Sequence, residues 1–133
     1  MAVTFDTVLL DSHTFLWFDS SPNQLSASAI ALIRDPNVTV YVSSLTAWEL
    51  GIKHASGKLP AAQGLLADFH GTLSRYGFLE LQFSVSDALR AAQLPSMHKD
   101  PFDRGLSAQA LERGLALVSV DAILESFGVT RVW

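Results

Sequence analysis

The chain has no cysteine among its 133 residues. That excludes a disulfide framework, a thiolate metal site and a cysteine nucleophile together. Charged residues are sparse at 17%, which excludes a charged helical filament, and 49% apolar content excludes a disordered chain. Eight glycines and five prolines are ordinary usage and leave no collagen-like or low-complexity segment. No apolar run approaches the ~20 residues of a membrane span. The opening residues, Met1 to Thr7, lack the basic-then-apolar order of a secretory signal. Basic residues are few, nine against 13 acids, for a formal net charge of −4. Phosphate is repelled by an acidic surface, so the bulk charge argues against a nucleic-acid binder unless the acids have a local purpose. The expectation from these absences is a cytoplasmic protein of one domain, 1–133, with no membrane partner. A chain of this length buries roughly two-thirds of its unfolded surface. Its mean hydropathy of +0.27 is high for that size, so some apolar surface is expected to be covered by a partner.

What is present reads as strands alternating with helices. Thr7 to Leu10 is a short apolar run ending at Asp11, and 38–43 alternates valine with Thr39, Tyr41 and Ser43; both predict strands. A further strand is expected over 78–83, a continuous apolar one over 115–120 and an edge strand over 129–132. Between them fall an aromatic helix at Phe15-Leu16-Trp17-Phe18 and a helix over 25–34 with Ser26 as N-cap. Next come a helix capped by Ser44 with Leu45, Trp48 and Ile52 on one stripe, and one from Pro60 to Gly77. Ser84 or Ser86 caps a helix to Leu94, Asp100-Pro101 opens one that Gly114 ends, and a short helix spans 121–127. The pattern predicts a three-layer α/β/α sandwich around a mainly parallel sheet of four to five strands.

Parallel sheets of this kind place ligands beyond the carboxyl ends of their strands. Asp11 follows the first strand and Asp121 the 115–120 strand, so the two meet if those strands are neighbours. Taken alone, each reads more readily as the cap of the following helix. Glu49 borders the apolar stripe of its helix. Either Lys53, four residues on, pairs with it, or it shares a cation with other acids. Asp100 fits the N-cap of its helix, and Asp103 stands in the first turn, where it faces the helix dipole. Four acids from four elements at one end of a sheet repel one another unless a divalent cation joins them. An all-oxygen set with no cysteine and no paired histidines selects Mg²⁺ or Mn²⁺ over zinc. A dehalogenase-type phosphatase is excluded because the position two after Asp11 is His13, and a receiver domain because 38–43 carries no acceptor aspartate.

The blocks Leu9-Leu10-Asp11-Ser12-His13, Ser44 to Lys53, His98-Lys99-Asp100-Pro101-Phe102-Asp103-Arg104 and Leu117-Val118-Ser119-Val120-Asp121 resemble the PIN-domain nucleases, VapC-type toxins above all. The resemblance runs in order through essentially the whole chain. It implies a PIN-like fold and a Mg²⁺- or Mn²⁺-dependent endoribonuclease, inhibited by a cognate VapB-like antitoxin and forming a homodimer. The family's acidic quartet falls on Asp11, Glu49, Asp103 and Asp121, as metal ligands and catalytic groups. Asp100 stands beside it as a fifth acid, and Ser119 and Ser12 as supporting hydroxyls. Ser12 replaces a more frequent threonine, and Val120 a more frequent polar or basic residue. Lys53, Lys99 and Arg104 are candidates for phosphate contact, with charge balance as the competing role. His13 is expected to line the cleft and His98 to belong to a loop. A PIN domain that binds antitoxin or RNA without cleaving it is the alternative. Without the quartet, the remaining charge is zero, so the −4 is no argument against RNA.

Overall fold

A computed structural model describes residues 5–133. The sheet contains β1 (Thr7–Leu10), β2 (Thr39–Ser43), β3 (Leu79–Leu81), β4 (Ala116–Val118) and β5 (Arg131–Val132). Its order is β3-β2-β1-β4-β5 with every pairing parallel. The sheet therefore has the upper strand number expected and is wholly parallel. The direction of progression reverses between β1 and β4, so the crevice at their carboxyl ends is the ligand position of such a sheet.

Side chains alternate across the pleat and divide the core in two. Val8, Leu10, Val40, Val42, Ala116 and Val118 face a layer built from α1 (Ser12–Ser20), α2 (Ala27–Arg34), α4 (Gln63–Ala67) and α5 (Phe69–Tyr76). Leu9 and Leu117 face the opposite way, against Leu106 and Ala110 of α7 (Pro101–Arg113) and Leu124 and Phe127 of a 3-10 segment, Ala122–Phe127. Directly after β2 comes α3 (Ser44–Ala55), which gives Leu50 to the first core and Leu45 to the second, and α6 (Val85–Gln93) leads into α7.

Several local expectations shift by a residue or a turn. The cap of α3 is Ser43, whose hydroxyl accepts the Leu45 N–H at 3.0 Å, not Ser44. The expected stripe on α3 is rotated: Leu45, Thr46, Glu49 and Leu50 are buried, while Trp48 and Ile52 are 61% and 46% exposed. Leu50, wholly buried in the first core, and Leu45, in the second, take the inner side of the helix instead. Thr46 shares a buried 3.2 Å hydrogen bond with Ser12 of α1, and Trp48 gains an edge contact with Phe102 of α7 at 5.1 Å instead of core burial. The helix expected from Pro60 to Gly77 is divided at Asp68, which leaves helical geometry and caps α5 by accepting the Gly71 N–H at 3.1 Å. The strand expected over 115–120 ends at Val118, because Ser119 Oγ accepts the Asp121 N–H and turns the chain.

Candidate active site

The N-terminus of α1 is set by Asp11, whose Oδ1 accepts the Thr14 N–H at 2.8 Å while its own N–H donates to the Val118 carbonyl of β4 at 3.1 Å. Thr14 Oγ1 donates to the same carbonyl at 3.0 Å. The end of β1 is thereby stitched to the end of β4. Ser119 extends the stitch, its hydroxyl accepting the Asp121 N–H at 3.0 Å and steadying the Asp11 carboxylate. Asp121 caps the segment after β4, accepting the Ile123 N–H at 3.2 Å. The capping reading and the cleft reading of both aspartates thus hold together.

Glu49 enters from α3 and is buried. Asp103 enters from α7, where Asp100 is the N-cap and accepts the Asp103 N–H at 2.9 Å. Gly105 lets these helices close: a Cβ there would lie 2.4 Å from Leu45 Cδ1 and 3.1 Å from Phe83. Asp11, Glu49, Asp100, Asp103 and Asp121 all line one cleft of about 520 Å³, together with His13, Trp17, Lys53 and Val120.

The charges in this cleft are unequally matched. Lys53 Nζ donates to Glu49 Oε2 at 2.6 Å, the i,i+4 pair that the sequence offered as one choice for Glu49. His98 Nε2 lies 2.7 Å from Asp103 Oδ2, so this loop histidine reaches the site. Burial holds the Asp103 carboxyl above its ordinary value against the His98 contact, with Asp100 and Glu49 adding repulsion. Burial also raises the Asp11 carboxyl, opposed by hydrogen bonds from Ser119 and Thr14 and least by the charge of His13. Asp11 forms no ion pair among the described residues, and burial outweighs the contacts that favour its charge. Hard oxygen donors around a buried carboxylate without an ion pair suit Mg²⁺ or Mn²⁺. No three Asp, Glu or His side chains among the described residues form a ready-made ion cage. Glu49 and Asp103 are turned to Lys53 and His98 instead.

Ser12 does not line the cleft; it is buried and bonded to Thr46, tying the Asp11 corner to the helix of Glu49. Thr46 escaped the sequence reading, although its place one turn before Glu49 on the same helix was the available signal. Arg104 is not free for phosphate. Nε donates to Ala91 O, one terminal nitrogen to Ser96 O and His98 O, and the other to Ala92 O and Leu94 O, over 2.7–3.5 Å. These five bonds use all five guanidinium donors. The role is to gather the end of α6 and the loop carrying His98.

A family model for the PIN domain matches residues 8–129. The chain belongs to the PIN-domain family. It is 31% identical over 121 residues, 90% of this chain and 91% of the other, to ribonuclease VapC22 of Mycobacterium tuberculosis. Among solved structures, VapBC2 from Rickettsia felis bound to a DNA fragment from their promoter matches with a TM-score of 0.64 at 16% identity. That match covers 95% of this chain and 97% of the other. FitAcB from Neisseria gonorrhoeae matches with a TM-score of 0.60 at 21% identity, covering 95% and 96%. These structural likenesses establish the PIN-like fold, in which the cleft stands at the strand reversal. No helix among the described residues is long and apolar enough to cross a membrane.

Proposed function

We propose that this PIN domain is a VapC-like endoribonuclease toxin, dependent on Mg²⁺ or Mn²⁺ and restrained by a cognate VapB-like antitoxin. The observation that carries the reading is the convergence of Asp11, Glu49, Asp103 and Asp121 on one cleft, with Asp11 buried and unpaired. Four separate elements supply them, which capping alone does not require. The relationship to ribonuclease VapC22 supplies the activity class, and the likeness to VapBC2 and FitAcB supports an antitoxin partner.

In this reading Asp11, Glu49, Asp103 and Asp121 hold the ion, with Asp100 beside them. Bound Mg²⁺ or Mn²⁺ neutralises phosphate charge and lowers the pKa of a water in such sites. The chain's own part is to orient. Ser119 fixes Asp11 relative to Asp121, and the Ser12–Thr46 bond fixes the Asp11 corner relative to Glu49. Lys53 pairs with Glu49, and His98 is hydrogen-bonded to Asp103. The protein works in the cytoplasm as a homodimer, and the exposed Trp48 and Ile52 of α3 offer apolar surface for a protein contact.

The test is cleavage of a mixed single-stranded RNA pool with Mg²⁺, with Mn²⁺ and with EDTA. Expected are cleavage with either ion, none with EDTA, and a loss of at least about 100-fold in Asp11→Asn and Asp103→Asn. Equal cleavage under all these conditions would sink the assignment. No cleavage under any of them would leave a binding module in its place.

A further inference from the structure

The cleft has two kinds of wall. Carboxylates, Lys53 and His13 make one kind; Trp17 and Val120 supply the apolar lining. Val120 is 47% exposed although it directly precedes Asp121. Trp17 stands on α1 four residues after His13, so the two share a helix face. Its ring has two aromatic neighbours, Trp133 with centroids 6.2 Å apart and an interplanar angle of 64°, and His13 at 5.7 Å and 54°. Trp17 is only half-buried despite these contacts. A large aromatic with two ring neighbours, left partly open beside a cluster of acids, offers a surface on which a flat apolar group can stack.

We propose that Trp17 and Val120 form a stacking wall for one nucleobase of the RNA, beside the phosphate held near the quartet. This rests on the ribonuclease reading above. A nucleotide unites the two chemistries of the cleft, because its phosphate binds through cations and its base presents a flat π-face. Trp17 is six residues from Asp11, about 9 Å along a helix axis. A base on, or next to, the nucleotide whose phosphate meets Asp11 is within that reach. The buttressed ring is already ordered, so stacking on it costs little conformational freedom. Every base offers a π-face, so the wall favours larger bases over smaller ones without reading hydrogen-bond donors. Trp17 and Val120 are positioning residues for the substrate and take no part in proton transfer.

The experiment uses the full chain with Mg²⁺ or Mn²⁺ and an oligoribonucleotide whose cleavage point has been mapped with the wild type. Trp17→Leu is expected to raise KM about tenfold, with the loss in KM rather than kcat, and Trp17→Phe to restore most of it. Removing the base next to the cleavage point, as an abasic ribose, is expected to cost the wild type a similar factor and to cost Trp17→Leu nothing further. Binding of the same labelled oligonucleotides by fluorescence anisotropy, on an Asp103→Asn background, is expected to repeat the pattern without turnover. Val120→Ser supplies a smaller loss of the same kind should Trp17→Leu fold poorly. An unchanged KM in Trp17→Leu, or an abasic penalty that persists in it, overturns the proposal. So does a Trp17→Leu protein that binds RNA normally but loses its antitoxin, since the wall then serves a protein. Absence of wild-type cleavage with either ion removes the ribonuclease reading; anisotropy of a set of unstructured labelled oligoribonucleotides then decides the wall, which stands if Trp17→Leu binds them about tenfold more weakly than the wild type and falls if it binds them equally.

Discussion

Replacing Arg104 separates its two readings, phosphate contact and structural clamp. The guanidinium spends its donors on the carbonyls of Ala91, Ala92, Leu94, Ser96 and His98 and lies 5.6 Å over the Phe127 ring. Ala91 and Ala92 belong to the last turn of α6, where carbonyls lack helical partners and a cation also meets the helix dipole favourably. A hydrogen bond to a charged donor contributes about 1.5–3 kcal/mol, but these are not additive, and the partly exposed carbonyls regain water in the variant. We expect Arg104→Ala to cost roughly 3–4 kcal/mol, a large part of the ~5–15 kcal/mol that a domain has. Arg104→Lys keeps the charge but loses the planar fork, and should cost about 2 kcal/mol. For a chain of 133 residues the unfolding entropy is about 0.28 kcal/mol per degree, so Arg104→Ala should melt roughly 10–14 °C lower. Urea unfolding and calorimetry measure the cost, and limited proteolysis of the 94–98 loop reports its release. A phosphate role predicts the opposite pattern, with unaltered stability, an undisturbed loop, a higher KM and a weaker salt dependence. A cost below about 0.5 kcal/mol for Arg104→Ala, with the loop still protected, refutes the clamp.

Two further outcomes follow from buried charge. Asparagine at position 11 keeps an acceptor for the Thr14 N–H and removes a carboxylate that burial holds above its ordinary value. Because that folded pKa is raised, the group favours the fold below its unfolded value, and this contribution is lost as pH rises through the folded one. Metal-free Asp11→Asn should therefore melt above the wild type at neutral pH. Mg²⁺ at about 100 times its Kd should add roughly 2.7 kcal/mol to the wild type alone. A wild-type melting temperature indifferent to both Mg²⁺ and Mn²⁺ contradicts this. Asp87 is the reverse case. Burial raises its carboxyl, but Arg113, at 2.9 and 3.1 Å, and the Ser84 cap prevail and hold it below the ordinary 3.8. Its contribution is present above 3.8 and disappears as pH falls through the lower folded value. Asp87→Asn should cost about 2–3 kcal/mol at pH 7, discounted because Arg113 is partly exposed, and much less in strong acid. A gap in urea stability that stays constant down to about pH 2 excludes the mechanism.

The alternation of strands and helices, the caps at Ser26, Asp100 and Asp121 and the four acids are legible from the chain because each rests on local chemistry. A cap needs only its own turn, and an aspartate after an apolar run needs only the run. From such signals the α/β class, the parallel sheet and the candidate acids follow, while the choice of Asp11, Glu49, Asp103 and Asp121 as the quartet rests on the family resemblance. The rotation of α3 does not follow, because Leu45, Trp48 and Ile52 make an apolar stripe on paper, whereas the two cores take Leu45 and Leu50, with Thr46 bonded to Ser12 between them. Nor does the interruption at Asp68, whose capping of α5 offsets the loss of one continuous helix.

The sequence by itself determined which groups exist and where along each element they stand, including the absence of any soft metal ligand. Only the tertiary structure decided which groups meet. The order β3-β2-β1-β4-β5 joins Asp11 to Ser119 and Asp121, and the Gly105 contact brings Glu49 and Asp103 to the same cleft. It also assigned Arg104 to carbonyls and His98 to Asp103, pairings that depend on how a loop folds over the end of a helix. Side-chain chemistry is local, whereas proximity between distant residues is set by strand pairing and packing; that is why one was readable in advance and the other was not.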